Sequence, residues 1–279
     1  MAELSYCAEQ IKDFDNDRYV AALFADEVVR EDLFALYAFN LELSKIRETV
    51  SEPMIGRMRL QFWRDTIPRV VAGDPPKHAV AEPLSIACQR RSLPETELLE
   101  LIDAREADLD DIAPRNMTAV EAYAESTSSI LIGLAMRTVG VDPTKHTDFV
   151  RNSGIAIALV GLVRAIPFQA SSGRVTLPAD LCEVAGLDPT QSHQWPRNPN
   201  VSEITLPMLV TAKRHLEAAR KSSHQLPRVV MPAVFPLSLS ALYLKALQRY
   251  GGDPKALAER PIGLPRHLTL MWRSILGRP

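Results

Sequence analysis

Covalent cross-linking has little to work with in this sequence: among its 279 residues there are three cysteines, Cys7, Cys88 and Cys182, set far apart. No metal-ligand or redox spacing joins them, so they are expected to be core thiols in a reducing compartment. An excess of one charge is missing as well. With 32 Lys and Arg against 34 Asp and Glu, no broad field is available for nucleic acid, and no such partner is expected. No apolar run reaches the ~20 residues that a bilayer-spanning helix needs, which leaves only peripheral membrane contact. The amino-terminal MAELSYCAEQIKDFDND lacks both the apolar core of a signal peptide and the arginine-rich, acid-poor character of a transit peptide. The expected location is therefore cytoplasmic, with a peripheral position at the inner face of the cytoplasmic membrane. The six histidines include no i, i+4 pair of the helical zinc type. Neither a G-x-S-x-G elbow nor a phosphate-cradling G-x-x-x-x-G-K-[ST] loop occurs.

What is present is helical periodicity. Val28 to Val50 carries apolar residues over a wide arc, as in a buried bundle helix. A second helix runs through MRLQFWRDTI towards Val71, with Gly73 as its stop and its partner starting near His78. Ser92 with Glu95, and Thr118 with Glu121, read as capping boxes at two further helix starts. Asp142 and Pro143 read as a cap and first-turn proline before a helix through Phe149 to Val163, which Pro167 is expected to end or kink, with no regular helix past Ile166. Leu187 to Asn200 reads as a long surface loop, with helix resuming near Ser202. Val229 to Tyr250 is strongly apolar despite Pro232 and Pro236, and Arg266 to Leu276 is a short amphipathic segment. No strand pattern or internal repeat competes. The expectation is one all-α domain over residues 1–279, a helical bundle around a central apolar cavity.

Two segments carry the chemistry. YAFNLELSKIRE runs from Tyr37 to Glu48; ALVGLVRAIPFQ runs from Ala158 to Gln169 and is followed by GRVTLPADL from Gly173. Both resemble the diphosphate-binding helices of the squalene/phytoene synthase family, where the first typically reads YAFCRxxDDxxD and the second QLxNxLRDxxED, then GRxxLPxDL. The resemblance covers nearly the whole chain and implies an isoprenoid-synthase-type bundle. It also implies magnesium, held by carboxylates at i and i+4 on two facing helices against a diphosphate. Those carboxylates are largely gone. The first-motif aspartates fall on Ser44, Lys45 and Glu48, and the preceding arginine on Leu41. In the second motif the asparagine falls on Gly161, the arginine survives as Arg164, and the aspartates fall on Ala165 and Gln169. The family's early Ser-Phe pair is not evident around Asp17, Arg18 and Tyr19. Should Lys45 point inward, a cation about 4 Å away would oppose the metal by roughly 4 kcal/mol at an effective dielectric near 20.

A divergent branch is more similar: the complex I assembly factors related to phytoene synthase, which show AFNxEL, VSE, MRxQFW, DxRExxLDD and LRAxP. Here stand AFNLEL at Ala38 to Leu43, VSE at Val50 to Glu52, MRLQFW at Met58 to Trp63, DAREADLDD at Asp103 to Asp111, and VRAIP at Val163 to Pro167. This resemblance implies a catalytically altered chain that needs no cofactor and works with a complex I subunit or assembly intermediate. Two alternatives stay open: a magnesium-dependent transferase joining two prenyl diphosphates, with Glu48, Tyr123 and Arg164 as remnants of its site, or a non-catalytic binder of an isoprenoid or phospholipid. Lys45, Arg47, Arg164 and Arg174 are candidate ligand-binding residues because basic side chains neutralise phosphate without metal. Arg59, Gln61 and Arg64 are candidate partner contacts, while Trp63 reads as core. The acidic run from Asp103 to Asp111 reads as a solvated helix face rather than a displaced metal site.

Overall fold

In the computed structural model the described residues are 4–50, 52–110, 112–171, 177–188, 198, 200–260, 262, 264–277 and 279. Among them the regular structure is entirely helical. The amino-terminal helices are α1 (Tyr6–Phe14), α2 (Asn16–Ala22) and α3 (Glu27–Thr49), followed by α4 (Pro53–Ala72), α5 (Ala81–Arg91) and α6 (Glu95–Ala104). Next come α7 (Met117–Ala124), α8 (Ile130–Thr138), α9 (Thr147–Ser171) and α10 (Ala179–Val184). The carboxy-terminal part holds α11 (Val201–Ser222), α12 (Met231–Arg249), α13 (Pro254–Glu259) and α14 (Leu264–Leu276).

The wide apolar arc of α3 is buried as its sequence requires: Leu33, Phe34, Leu36, Tyr37, Phe39, Leu43 and Ile46 all join one continuous core. Pro53 begins α4 at a position where the missing N–H costs nothing, and Gly73 ends it in the left-handed conformation, φ 83°. Trp63 is 2 % exposed and meets Phe39 edge to face at 5.0 Å. All three cysteines are buried and unbridged. Asp32, 3 % exposed at its side chain, ties α3 to α5 by accepting from Arg90 and Arg91, each at 2.6 Å.

Helix ends depart from the sequence expectations in three places. Ser92 closes α5 in the left-handed region at φ 51° instead of opening the next helix, which starts behind Pro94. Asn116, not Thr118, caps α7 by accepting from the Ala119 N–H at 3.0 Å. Pro167 does not terminate α9, which runs on to Ser171. The ring removes one backbone hydrogen bond, but Val163, Ile166 and Ala170 are buried on either side of it, and that burial holds the last turn helical. Asp142 behaves as expected, accepting from the Thr144 N–H at 3.0 Å ahead of Pro143.

Residues 143–170 and 228–249 form helical stretches long and apolar enough to cross a membrane by length and composition alone. That differs from the sequence expectation because the helix formed is longer than any uninterrupted apolar run. Both lie within the bundle, with 56 % and 72 % of their most apolar windows buried. Gly154 sets how closely α9 approaches its neighbour: a Cβ there would stand 2.3 Å from the Ser129 Cα. Ser129 ends a π-type turn, Glu125–Ser129, that joins α7 to α8. Thr127 and Ser128 of the same turn are buried.

Candidate functional site

A central cleft of about 480 Å³ opens between α3, α7, α9 and α12, with residues from α1 and α2 at its edge. Its lining is mixed. Leu41, Leu131, Ile157, Leu162 and Pro236 are apolar, while Asn40, Ser44, Thr127, Ser128 and Gln169 are polar and neutral. Gly161 contributes empty space, since a Cβ there would meet nothing within 4 Å.

Charge in and beside the cleft is arranged in three groups. In the first, Arg105 donates to Tyr123 Oη at 2.9 Å and to Asn40 Oδ1 at 3.3 Å and pairs with Asp108 at 3.3 Å, while the tyrosine hydroxyl donates to Asp108 at 2.7 Å. Burial pulls the Arg105 pKa down, but Tyr123 and Asp108 outweigh it and hold the guanidinium firmly protonated. In the second, Arg164 pairs with Asp17 at 3.2 Å and lies 3.4 Å over the ring of Tyr243, whose hydroxyl donates to the same aspartate at 2.9 Å. In the third, Arg18 pairs with Asp15 and stands over the Tyr37 ring at 5.6 Å. Burial raises the Tyr37 pKa against the opposing pull of Arg18, so the phenol stays neutral.

The structure separates the candidate residues that sequence grouped together. Arg164 and Tyr123 both face the cleft. Glu48 is exposed and does not line it. Lys45 turns the other way: its ammonium sits 2.8 Å from the centre of the Phe14 ring and borders a second cleft of about 330 Å³, shared with Arg59, Phe62 and His78. Burial lowers the Lys45 pKa, with Glu48, Glu42 and Asp13 opposing. Arg47 is half-buried at the end of α3, and Arg174 lies outside the described residues. Gln61 donates to Asp65 at 2.7 Å, and Arg59 to Thr49 at 2.6 Å. Arg64 spans Asp103 and Glu106, both at 2.7 Å.

The acidic run is therefore not one solvated face. Asp103 and Glu106 hold Arg64, Asp110 holds Arg57 at 3.0 Å, and Asp108 turns inward to 8 % side-chain exposure. The helix ends at Ala104 and gives way to a tighter turn over Glu106–Leu109, so a single 3.6-residue period misplaces Asp108. Asp15, Asp17, Arg18 and Arg105, which line the cleft, and Asp108, buried behind Arg105 and Tyr123, are charged residues that sequence reasoning did not select. The prior signals were the charged residues around Asp17, Arg18 and Tyr19 and the DAREADLDD run, Asp103 to Asp111, which contains Arg105 and Asp108.

An all-helical bundle with a cleft between two long facing helices is the architecture of the squalene/phytoene synthases. The chain belongs to that family, whose model, squalene/phytoene synthase, matches residues 11–266. It is 34 % identical over 272 residues to the Bos taurus NADH dehydrogenase (ubiquinone) complex I, assembly factor 6, covering 96 % of this chain and 82 % of that one. Presqualene diphosphate synthase from Rhodopseudomonas palustris is 26 % identical, over 82 % of this chain and 81 % of the other. In fold, the chain is similar to a dehydrosqualene synthase solved with a ligand, with a TM-score of 0.80 and 15 % identity over 97 % of this chain and 94 % of the other. A squalene synthase from Alicyclobacillus acidocaldarius gives 0.76 and 16 %, over 89 % and 94 %.

The residues present do not fit the magnesium cluster that the family implies. Ser44, Ala165 and Gln169 line the cleft where aspartates are expected, and Lys45 and Glu48 stand outside it. Among the described residues, Asp15 and Asp17 line the cleft and Asp108 is buried beside it, and each meets a guanidinium. Among the described residues no group of three His, Cys, Asp or Glu is placed to hold a metal ion.

Proposed function

We propose that this chain serves in the assembly of respiratory complex I, acting on a complex I subunit or assembly intermediate at the cytoplasmic face of the membrane, and that it does not condense prenyl diphosphates. The observation that carries this reading is the internal neutralisation of the cleft. Each inward carboxylate already balances an arginine, so a diphosphate with its metal ions would have to break those pairs before it could bind. The likeness to complex I assembly factor 6 over 96 % of the chain supports the assembly role. Partner contacts are proposed on α4, where Met54, Met58 and Phe62 form an exposed apolar stripe beside Arg59 and Gln61.

A second reading is favoured by the cleft itself. About 480 Å³ with an apolar side can accept part of an isoprenoid or phospholipid chain, and such binding is compatible with assembly work. Mass spectrometry of molecules that co-purify with the native protein tests it.

The assembly role is tested by deleting the gene and measuring complex I on native gels beside the isoprenoid profile. The expected result is depleted complex I with carotenoids and hopanoids retained. Normal complex I with a missing isoprenoid product would overturn the proposal and revive the transferase.

A further inference from the structure

Helix α14 turns its apolar side to the solvent. Leu268, Met271, Trp272, Ile275 and Leu276 follow the spacing i, i+3, i+4, i+7, i+8 of a single helical stripe, and all are exposed, Trp272 to 62 % and Ile275 to 66 %. Leu270, fully buried, anchors the other side of the helix, which packs on α12. The sequence of the helix, LPRHLTLMWRSIL, contains no acidic residue.

Behind this stripe lies a groove of about 300 Å³ between α11, α12 and α14. Lys213, Arg220, Lys245 and Arg273 line it with one carboxylate, Glu217, which is already 3.9 Å from Lys213. Burial lowers the Arg220 pKa and the neighbouring Arg273 lowers it further, with Glu217 opposing. At the far end of the helix Arg228 lies against Gly277, where a Cβ would stand 2.9 Å from its Nε, and the adjacent Val229 is 57 % exposed.

An apolar ridge without acids, bordered by cations, matches the interfacial layer of a bilayer. Tryptophan sits at the headgroup boundary, aliphatic side chains reach the acyl region, and guanidiniums meet lipid phosphates. A second copy of the chain is a poor occupant, because two such faces meeting about a twofold axis would bring their cations together. We propose that α14 and the groove behind it dock the chain on a membrane containing anionic phospholipid, with the helix lying in the plane of the surface and a lipid phosphate between Arg220 and Arg273. This refines the membrane placement proposed above; vesicle binding by the purified chain is separable from complex I levels in the cell.

The test is co-sedimentation of the full chain with vesicles of phosphatidylcholine alone and of phosphatidylcholine mixed with phosphatidylglycerol, at low and high salt. Binding is expected only with the mixed vesicles, weakened by salt. Trp272→Gln combined with Ile275→Gln is expected to lower partitioning by at least about tenfold, and Arg220→Gln severalfold. Both sets of positions lie away from the central cleft, and circular dichroism checks that the helices persist. With Trp195 replaced by Phe throughout, brominated acyl chains are expected to quench tryptophan emission when Trp272 is present and not in Trp272→Phe, since the remaining Trp63 is buried in the core. Absence of binding to the mixed vesicles, equal binding to neutral ones, unchanged binding by the double variant, or quenching that survives Trp272→Phe would each overturn the proposal. So would concentration-dependent dimerisation abolished by the double variant in a chain that ignores vesicles.

Discussion

The central cleft and the groove behind α14 both gather arginines, and they treat them in opposite ways. In the cleft, Arg18, Arg105 and Arg164 each face an aspartate of the same chain, and the aromatic residues Tyr37, Tyr123 and Tyr243 complete the groups. In the groove, Lys213, Arg220, Lys245 and Arg273 stand with one glutamate, Glu217, which lies 3.9 Å from Lys213, and Arg273 also donates to the Pro279 carbonyl oxygen at 3.1 Å. A charge paired within the chain contributes to the fold and is withheld from a ligand, whereas a charge left in excess at a surface is available to a partner. The central cleft thus balances its arginines with carboxylates of the same chain, while the groove behind α14 carries an excess of cations.

The largest expected effect comes from breaking the cleft group around Arg105. Asp108→Ala removes its counter-ion while Tyr123 and Asn40 remain, and is expected to destabilise the protein by about 3 kcal/mol, because a buried guanidinium is left without a carboxylate. Urea unfolding measures it; a loss below about 0.5 kcal/mol, the usual scale for a surface substitution, would mean that the pair is not a structural one. Asp17→Asn is expected to cost less, about 1 kcal/mol, because the Arg164 side chain is 35 % exposed and water replaces part of the lost interaction.

His215 gives a pH-dependent contrast. Its Nδ1 lies 2.8 Å from Asn152 Oδ1 and its Nε2 3.3 Å from Glu121, and burial lowers its pKa below 6.5 despite the raising effect of that glutamate. Above pH 6.5 the ring is neutral in both folded and unfolded chains and its full contribution is present. As the pH falls below 6.5 the unfolded chain takes up a proton that the fold resists, so stability is lost until the folded pKa is passed. A pH series of urea midpoints is expected to fall more steeply in this window for the wild type than for His215→Gln; parallel curves would refute the assignment. The smallest effect belongs to the outer face of α14. Trp272→Gln with Ile275→Gln is expected to change stability by under about 0.5 kcal/mol, because both side chains are exposed. A larger loss in the same urea assay would mean that the stripe packs against the chain itself.

The long helices were readable because each buries a broad apolar arc, and that arc survives in the order of residues along α3, α9 and α12. Their ends were less readable. A Ser-x-x-Glu pattern specifies a cap only when the serine adopts extended backbone, and Ser92 instead takes the left-handed conformation that closes the preceding helix. Pro167 shows the same limit from the other side, since packing around it outweighs a local breaker. At the site, the missing aspartates were visible at Ser44, Ala165 and Gln169, but their replacement by arginine pairs was not. Asp15 joins α1 to α2, Asp17 lies in α2, Asp108 comes from a turn, and Arg18, Arg105 and Arg164 come from three separate segments. Arg18–Asp15 and Arg105–Asp108 are neighbours three residues apart, whereas only tertiary structure brings Arg164 to Asp17 and gathers the three groups around one cleft.

The internal pairing of the cleft is tested most directly by incubating the purified chain with farnesyl or geranylgeranyl diphosphate and magnesium and analysing the products. The account predicts no condensed prenyl product above the protein-free control, because the inward carboxylates are committed to Arg18, Arg105 and Arg164. Sustained magnesium-dependent formation of a head-to-head product would contradict it.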